Sequence, residues 1–237
     1  MTIDLNCDMG ENVGNDELIM PLVTSANIAC GYHAGNAKTM RETVRLAKKF
    51  AVNIGAHPSW FDLEGFGRRE MSLTADEVEA LILDQVSALA AIAEAEGVEL
   101  RHVKPHGALY NQAAKDRPLA EAIARAVKTF DGELILVGLA GSRLIEAGVE
   151  AGLNVANEGF PDRRYNPDGT LVSRKEAHAI IESPEEVARH AVELIQNGIL
   201  FEGNRVRVET LCLHGDHPRV VENARLIREI YGNGIGL

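Results

Sequence analysis

Ile3-Asp4-Leu5-Asn6-Cys7-Asp8 opens the chain with a strict alternation of apolar and polar side chains. Period two makes this stretch a strand, with Asp4, Asn6 and Asp8 on one face and Ile3, Leu5 and Cys7 on the other. Strands of a parallel sheet are ordinarily apolar on both faces, because helices cover them. A row of two carboxylates and an amide is costly to bury unless it lines a wet or liganded cavity, since unpaired buried ions lose their hydration. The interior mouth of a barrel is such a place.

Outward from this strand, apolar and β-branched runs recur at 3–7, 26–30, 52–56, 99–103, 133–137, 154–157 and 207–213, with helical patterns between them. That rhythm predicts repeated βα units around a parallel sheet. Val78, Leu81, Ile82, Val86, Leu89 and Ala93 share one helical stripe, started by a Thr74/Glu77 capping box and ended at Gly97. Ser183, Pro184 and Glu186 start another helix, with Val187, Ala188, Ala191, Leu194 and Ile195 as its apolar stripe. Further helices are predicted over 39–50, 118–130, 142–151 and 218–231, and 161–174, with its Asn166-Pro167-Asp168-Gly169 turn, reads as a long excursion. A chain of 237 residues can bury one substantial core. The expectation is an α/β fold: a single seven-stranded parallel (β/α) barrel over residues 1–237.

Polar groups gather where these strands finish. The second runs into Gly31-Tyr32-His33-Ala34-Gly35-Asn36, the third into His57-Pro58-Ser59, and the fourth into Lys104-Pro105-His106-Gly107. The sixth is followed by Glu158-Gly159-Phe160 and Asp162-Arg163-Arg164, the last by His214-Gly215-Asp216. The carboxyl ends of parallel strands hold the ligand in α/β barrels, so repeated placement there outweighs any single residue. His33, His57, His106, His214 and Asp8 are therefore expected to line one site. His178 and His190 read as solvated, and His102 and His217 as structural. Arg68-Arg69 and Arg163-Arg164 are candidates for gripping a carboxylate or phosphate, or else surface ion pairs.

The formal charge of -11 opposes attachment to nucleic acid or anionic lipid. No stretch approaches the roughly 18 apolar residues of a membrane span, and no leader precedes the first strand, so a cytoplasmic location is expected. Cys7, Cys30 and Cys212 are odd in number and form no CxxC pair, which predicts plain buried thiols.

The motifs Asp4-Leu-Asn-Cys-Asp-Met-Gly-Glu11, Ala26-Asn-Ile-Ala-Cys-Gly-Tyr-His33-Ala-Gly, Gly55-Ala-His57-Pro-Ser, Gly65-Phe-Gly-Arg-Arg69, Lys104-Pro-His106-Gly-Ala-Leu-Tyr-Asn111, Glu158-Gly-Phe and Leu213-His214-Gly-Asp216 closely resemble the LamB/YcsF family over nearly the whole chain. One departure stands out: Asn36 follows Gly35 where the family usually has Asp. The resemblance implies a barrel related to those of glycoside hydrolases and deacetylases. It also implies the ATP-dependent opening of 5-oxo-L-proline to L-glutamate, by a 5-oxoprolinase that contains this chain as its A component beside two partner subunits.

Opening a lactam needs a base for water and an acid for the departing nitrogen. Asp8 is the candidate base and His106 or His57 the candidate acid, with His214 in the same catalytic group. Asn6, Glu11, His33, Arg68, Arg69, Lys104, Glu158 and Asp216 are candidate substrate-binding residues. ATP is the implied co-substrate, though no Walker-type sequence is present, and Mg2+ or another divalent metal is compatible with the set. Two rival readings come from the same residues. One is a metal-dependent amidohydrolase or deacetylase, with Asp8, His57 and His106 or His214 as ligands. The other is a binding protein that only positions substrate for catalytic partners.

Overall fold

The polar face of the first strand turns inward. In the computed structural model, which describes residues 3–231, β1 (Asp4–Met9) is buried at all six positions. Leu5, Cys7 and Met9 enter the apolar layer beneath the helices, while Asp4, Asn6 and Asp8 face polar partners inside the barrel. The chain continues through α1 (Asp16–Ile19), β2 (Ser25–Ala29), α2 (Ala37–Phe50), β3 (Asn53–His57), α3 (Ala75–Ala95) and β4 (Leu100–Val103). Next come α4 (Gly107–Ala113), α5 (Arg117–Phe130), β5 (Ile135–Leu139), α6 (Arg143–Glu150) and β6 (Asn154–Gly159). The chain closes with α7 (Pro184–Asn197), β7 (Ile199–Phe201), β8 (Asn204–Val206), β9 (Thr210–Leu213) and α8 (Val220–Tyr231).

Seven strands form a closed parallel barrel in the order β1-β2-β3-β4-β5-β6-β9. Closure comes from β9, which pairs Thr210 with Asp4 on one side and with Glu158 on the other. The predicted strand at 207–213 is therefore too long at its start. Residues 207–209 are the connection from β8 (204–206), which pairs with β7 in an antiparallel hairpin outside the barrel. Period-two alternation is common to both strands, so the pattern alone does not separate them. The short helices α1 and α4 are too brief to show a periodic stripe, and the sequence gives no sign of them.

The helix starts follow local chemistry. Thr74 and Glu77 form the expected reciprocal capping box on α3, and Ser183 caps α7 through the Glu186 amide. Asn36 caps α2, its Oδ1 accepting from the amides of Lys38 at 2.9 Å and Thr39 at 3.2 Å. It is exposed and bonded to its own helix, so the departure from the family's Asp exchanges one good cap for another. Gly55 has a different duty. A Cβ there would sit 2.2 Å from the His102 ring, at the point where the β3–β4 register shifts. This glycine makes the room in which an imidazole enters the barrel. No helix among the described residues is long and apolar enough to cross a membrane.

Candidate active site

The barrel interior holds a ladder of polar groups, built from the inward face of β1. At its base, Asp4 accepts from the hydroxyls of Thr24, Ser25 and Thr210 at 2.5–2.8 Å. One step up, the Asn6 amide donates to Glu158 Oε1 at 2.9 Å and to Thr210 Oγ1 at 2.6 Å. Asn27, on the neighbouring strand, donates to Asn6 Oδ1 at 2.7 Å and to Asp8 Oδ1 at 2.8 Å, and accepts from His102 Nε2 at 2.7 Å. Each buried group thus finds a partner, which is what makes a polar lumen tolerable. His102 is structural, as expected. Burial pulls its imidazole down to about 4, so it stays neutral.

Lys104, just past β4, sits at the top of this ladder, 2% exposed. Its ammonium lies 2.8 Å from Asp8 Oδ1, 3.1 Å from Glu158 Oε1 and 2.9 Å from Cys212 Sγ. Burial alone would lower the Lys104 pKa, but the adjacent Asp8 and Glu158 carboxylates and the Cys212 sulfur hold it well above the ordinary lysine value. Burial would likewise raise the Asp8 carboxyl, yet His57 and Lys104 keep it well below the usual carboxylate range. The pair is charged. Glu158 Oε2 and the Tyr110 hydroxyl are buried nearby and have no hydrogen-bond partner among the described residues.

Above Lys104, three histidines converge from the ends of three strands. His57 ends β3, His33 follows β2, and His106 precedes α4. The His57 Nε2 atom lies 3.4 Å from Asp8 Oδ1 and 3.0 Å from His106 Nδ1. Glu11, just past β1, approaches His33 Nε2 at 3.1 Å and His106 Nδ1 at 3.4 Å. The rings of His33 and His106 stack with centroids 3.8 Å apart. Burial lowers the pKa of both His33 and His106, and the like charge of neighbouring histidines adds to the effect. Gly67, at φ +66, permits this packing, because a Cβ there would meet the His106 ring at 2.8 Å and His33 Cβ at 2.9 Å. One ligand atom from each of Glu11, His33, His57 and His106 lies within 4.8 Å of the others, so this buried group can hold a metal ion.

The cluster forms the floor of a cavity of about 1090 Å³ at the carboxyl ends of the strands. His214 stands across it, donating from Nδ1 to Asp162 at 2.9 Å and stacked on Phe160. Asp162 is held well below the usual range: burial alone would raise it, but the His214 charge and hydrogen bonds outweigh that. The excursion after β6 crosses the cavity through residues 170–176, pinned by Arg163, which donates to the carbonyls of Val172 and Ala179. Asp216 lies at the rim between Arg68 at 2.5 Å and Arg174 at 3.1 Å.

Of the residues predicted from sequence, Asn6, Asp8, Glu11, His33, His57, Lys104, His106 and Glu158 form one connected group, with His214 facing them and Arg68 and Asp216 at the rim. Arg69 stands apart. Its guanidinium is bonded to Asp62 and Glu64 and offers no free fork. Neither member of the second basic pair presents one, since Arg163 is buried in carbonyl contacts and Arg164 pairs with Glu186 at 2.9 Å. The half-buried His190, expected to be solvated, has Nδ1 3.0 Å from the Pro161 carbonyl, while His178 is exposed and His217 is a buried structural group bonded to Ile181. Asn27, Asp162, Tyr110 and Cys212 join the site without having been predicted. Asn27 carries the same signal as Asn6, a polar residue inside an apolar strand; Cys212 carries none, because a buried thiol beside an ammonium reads like any other.

A model of the LamB/YcsF family matches residues 3–235. A protein of Methylococcus capsulatus named as the A component of 5-oxoprolinase is 53% identical, covering 99% of this chain and 94% of its own length. A protein of the same name from Pyrococcus furiosus is 50% identical over 96% of this chain and 93% of its own. The crystal structure of a lactam utilization protein from Thermus thermophilus superposes with a TM-score of 0.89 at 46% identity, covering 100% of this chain and 99% of that one. A putative cellobiose-phosphate cleavage protein from Enterococcus faecalis shares the fold, with a TM-score of 0.58 at 12% identity.

Proposed function

The chain belongs to the LamB/YcsF family, and from that premise we propose that it is the A component of a 5-oxoprolinase, opening the lactam of 5-oxo-L-proline to L-glutamate with ATP as co-substrate. The whole chain acts as one barrel catalytic domain, working with two other subunits. The observation that carries this reading is the Asp8–His57–His106 group on the cavity floor, backed by Lys104 and faced by His214.

A lactam carbonyl is a poor electrophile, and phosphoryl transfer from ATP to its oxygen, with release of ADP, opens the ring carbon to attack by water. Expulsion of the ring nitrogen leaves an acyl phosphate, which a second water hydrolyses to L-glutamate and phosphate. Asp8, with His57 and His106 beside it, takes up the proton of the attacking water. His214 protonates the departing ring nitrogen, oriented by Asp162 as a base is oriented by a carboxylate in a catalytic triad. Lys104 offsets the negative charge of the phosphoryl group carried by the lactam oxygen. Glu158 and Asn6 fix Lys104 from below, and Glu11 and His33 complete the floor. Arg68, released from Asp216, is suited to the substrate carboxylate, and Arg69 supports the same loop. The chain carries no Walker-type loop, so the site for ATP and its Mg2+ is of another design or lies on a partner. Three free buried thiols suit a reducing cytoplasm.

The test is reconstitution of the full chain with its two partners, measuring glutamate released from 5-oxoproline with and without ATP. ATP-dependent release that disappears with Asp8→Asn is the expected result. A folded complex that releases no glutamate would remove the substrate assignment.

A further inference from the structure

Each of the three clustered histidines has one ring proton already committed. His57 Nδ1 donates to the Lys104 carbonyl at 2.7 Å, and His106 Nε2 donates to the Phe66 carbonyl at 2.9 Å. His33 Nδ1 donates to Ser59 Oγ at 3.0 Å, because the Ser59 hydroxyl proton is directed to the Trp60 carbonyl at 2.9 Å. Carbonyls only accept, so these bonds fix the tautomers. In the neutral rings the atoms left over, His57 Nε2, His106 Nδ1 and His33 Nε2, are bare lone pairs.

These lone pairs point at one another and at a carboxylate. His106 Nδ1 faces His57 Nε2 at 3.0 Å, and Glu11 Oε1 lies 3.1 Å from His33 Nε2 and 3.4 Å from His106 Nδ1. All four side chains are more than nine-tenths buried. Four acceptors without a donor between them repel, and a single proton bridges only one pair. A cation at their centre satisfies all four. The nearest ammonium, Lys104, is engaged by Asp8 and Glu158.

We propose that Glu11, His33, His57 and His106 hold one divalent first-row transition ion, with Zn2+ as the first candidate. The three short spacings agree with this, and the widest, within 4.8 Å, contracts as the ion draws its ligands together. Metal–ligand bonds of about 2.0–2.1 Å put neighbouring ligand atoms roughly 3.0 Å apart in octahedral and roughly 3.4 Å apart in tetrahedral geometry. The three imidazoles also carry the outer-shell N–H···O bonds that orient metal-bound histidines. Three nitrogens and one carboxylate oxygen select a borderline ion over Mg2+ or Ca2+, which take oxygen shells. Glu11, His57 and His106 line the cavity, so an ion there is reachable by water, whose pKa it would lower toward 7. This deepens the proposed function by making His57 and His106 ligands and leaving Asp8 as the proton acceptor. The site itself stands without any assumption about substrate.

The experiment uses the full chain, stripped with a chelator and titrated with Co2+ as a visible probe, then with Zn2+ while following thermal unfolding. One equivalent of Co2+ should give ligand-field absorption, Zn2+ should displace it and raise Tm, and Mg2+ should do neither. Glu11→Gln and His57→Asn, checked for folding by circular dichroism, should bind at least about 100-fold more weakly. Ser59→Ala, which removes the hydroxyl that accepts from His33 and leaves all four ligands in place, should weaken binding about 10-fold. Folded wild-type protein that gives neither absorption nor a Zn2+-dependent Tm overturns the proposal, as does unchanged binding by Glu11→Gln and His57→Asn. Because no substrate is present, either failure leaves the lactam assignment intact, and a metal-loaded complex that releases no glutamate sinks only that assignment.

Discussion

Replacing Lys104 with Met removes one charge from the centre of the barrel while keeping a stem of similar length. In the wild type this ammonium lies within 3.1 Å of both Asp8 and Glu158, all three groups being buried. Removing one partner of a buried pair typically costs about 3–5 kcal/mol, because the remaining charge is stranded. Here two carboxylates are stranded together, so the upper end of that range applies near pH 8. The variant can relieve the strain by letting the two carboxyls share a proton, which raises a folded-state pKa above its unfolded value. Stability gained that way is fully present below the unfolded carboxyl pKa and is lost as pH rises through the raised one. Relative to wild type, the variant should therefore gain stability as pH falls from about 8 to about 5, by up to about 1.4 kcal/mol per unit for one proton. Wild type itself should lose stability as pH falls below about 6.5, since burial lowers the pKa of His33 and His106. Urea unfolding of both proteins across this range measures the two slopes. A Lys104→Met protein within about 1 kcal/mol of wild type at pH 8, with a parallel pH dependence, would refute the reasoning that Lys104 is the electrostatic keystone of the lumen.

Three further outcomes are expected. His102, held down to about 4 against an ordinary 6.5, contributes stability that is present above pH 6.5 and lost as pH falls toward 4, about 3 kcal/mol in all; a urea midpoint that is flat across that window contradicts a neutral buried imidazole. Asn36→Asp should change stability by no more than about 0.5 kcal/mol and leave glutamate release unaltered, whereas Asn36→Ala should cost about 1 kcal/mol in thermal unfolding; a large activity change in the Asp variant would bring this position into the chemistry. Asp162→Asn should lower kcat by about 100-fold with KM nearly unchanged, through loss of the oriented His214; undiminished turnover would exclude His214 as the acid.

The sequence by itself determined that a parallel barrel forms and at which end its chemistry lies. Alternation in Asp4, Asn6 and Asp8 required a polar lumen, and histidines at successive strand ends required a shared rim, because both follow from the period of a strand and the direction of the chain. Helix starts at Thr74 and Ser183 were legible for the same reason: a cap is a bond between residues three apart. Only the tertiary structure decided which polar groups meet. Asn27 joins Asn6 to Asp8, Asp162 orients His214, and Arg69 turns away to Asp62, all through contacts between segments that the linear order leaves independent. The convergence of Glu11, His33, His57 and His106 belongs to this class. It depends on which ring nitrogen of each histidine meets a backbone carbonyl or hydroxyl oxygen, and no spacing along the chain encodes the position of an oxygen brought there by another loop.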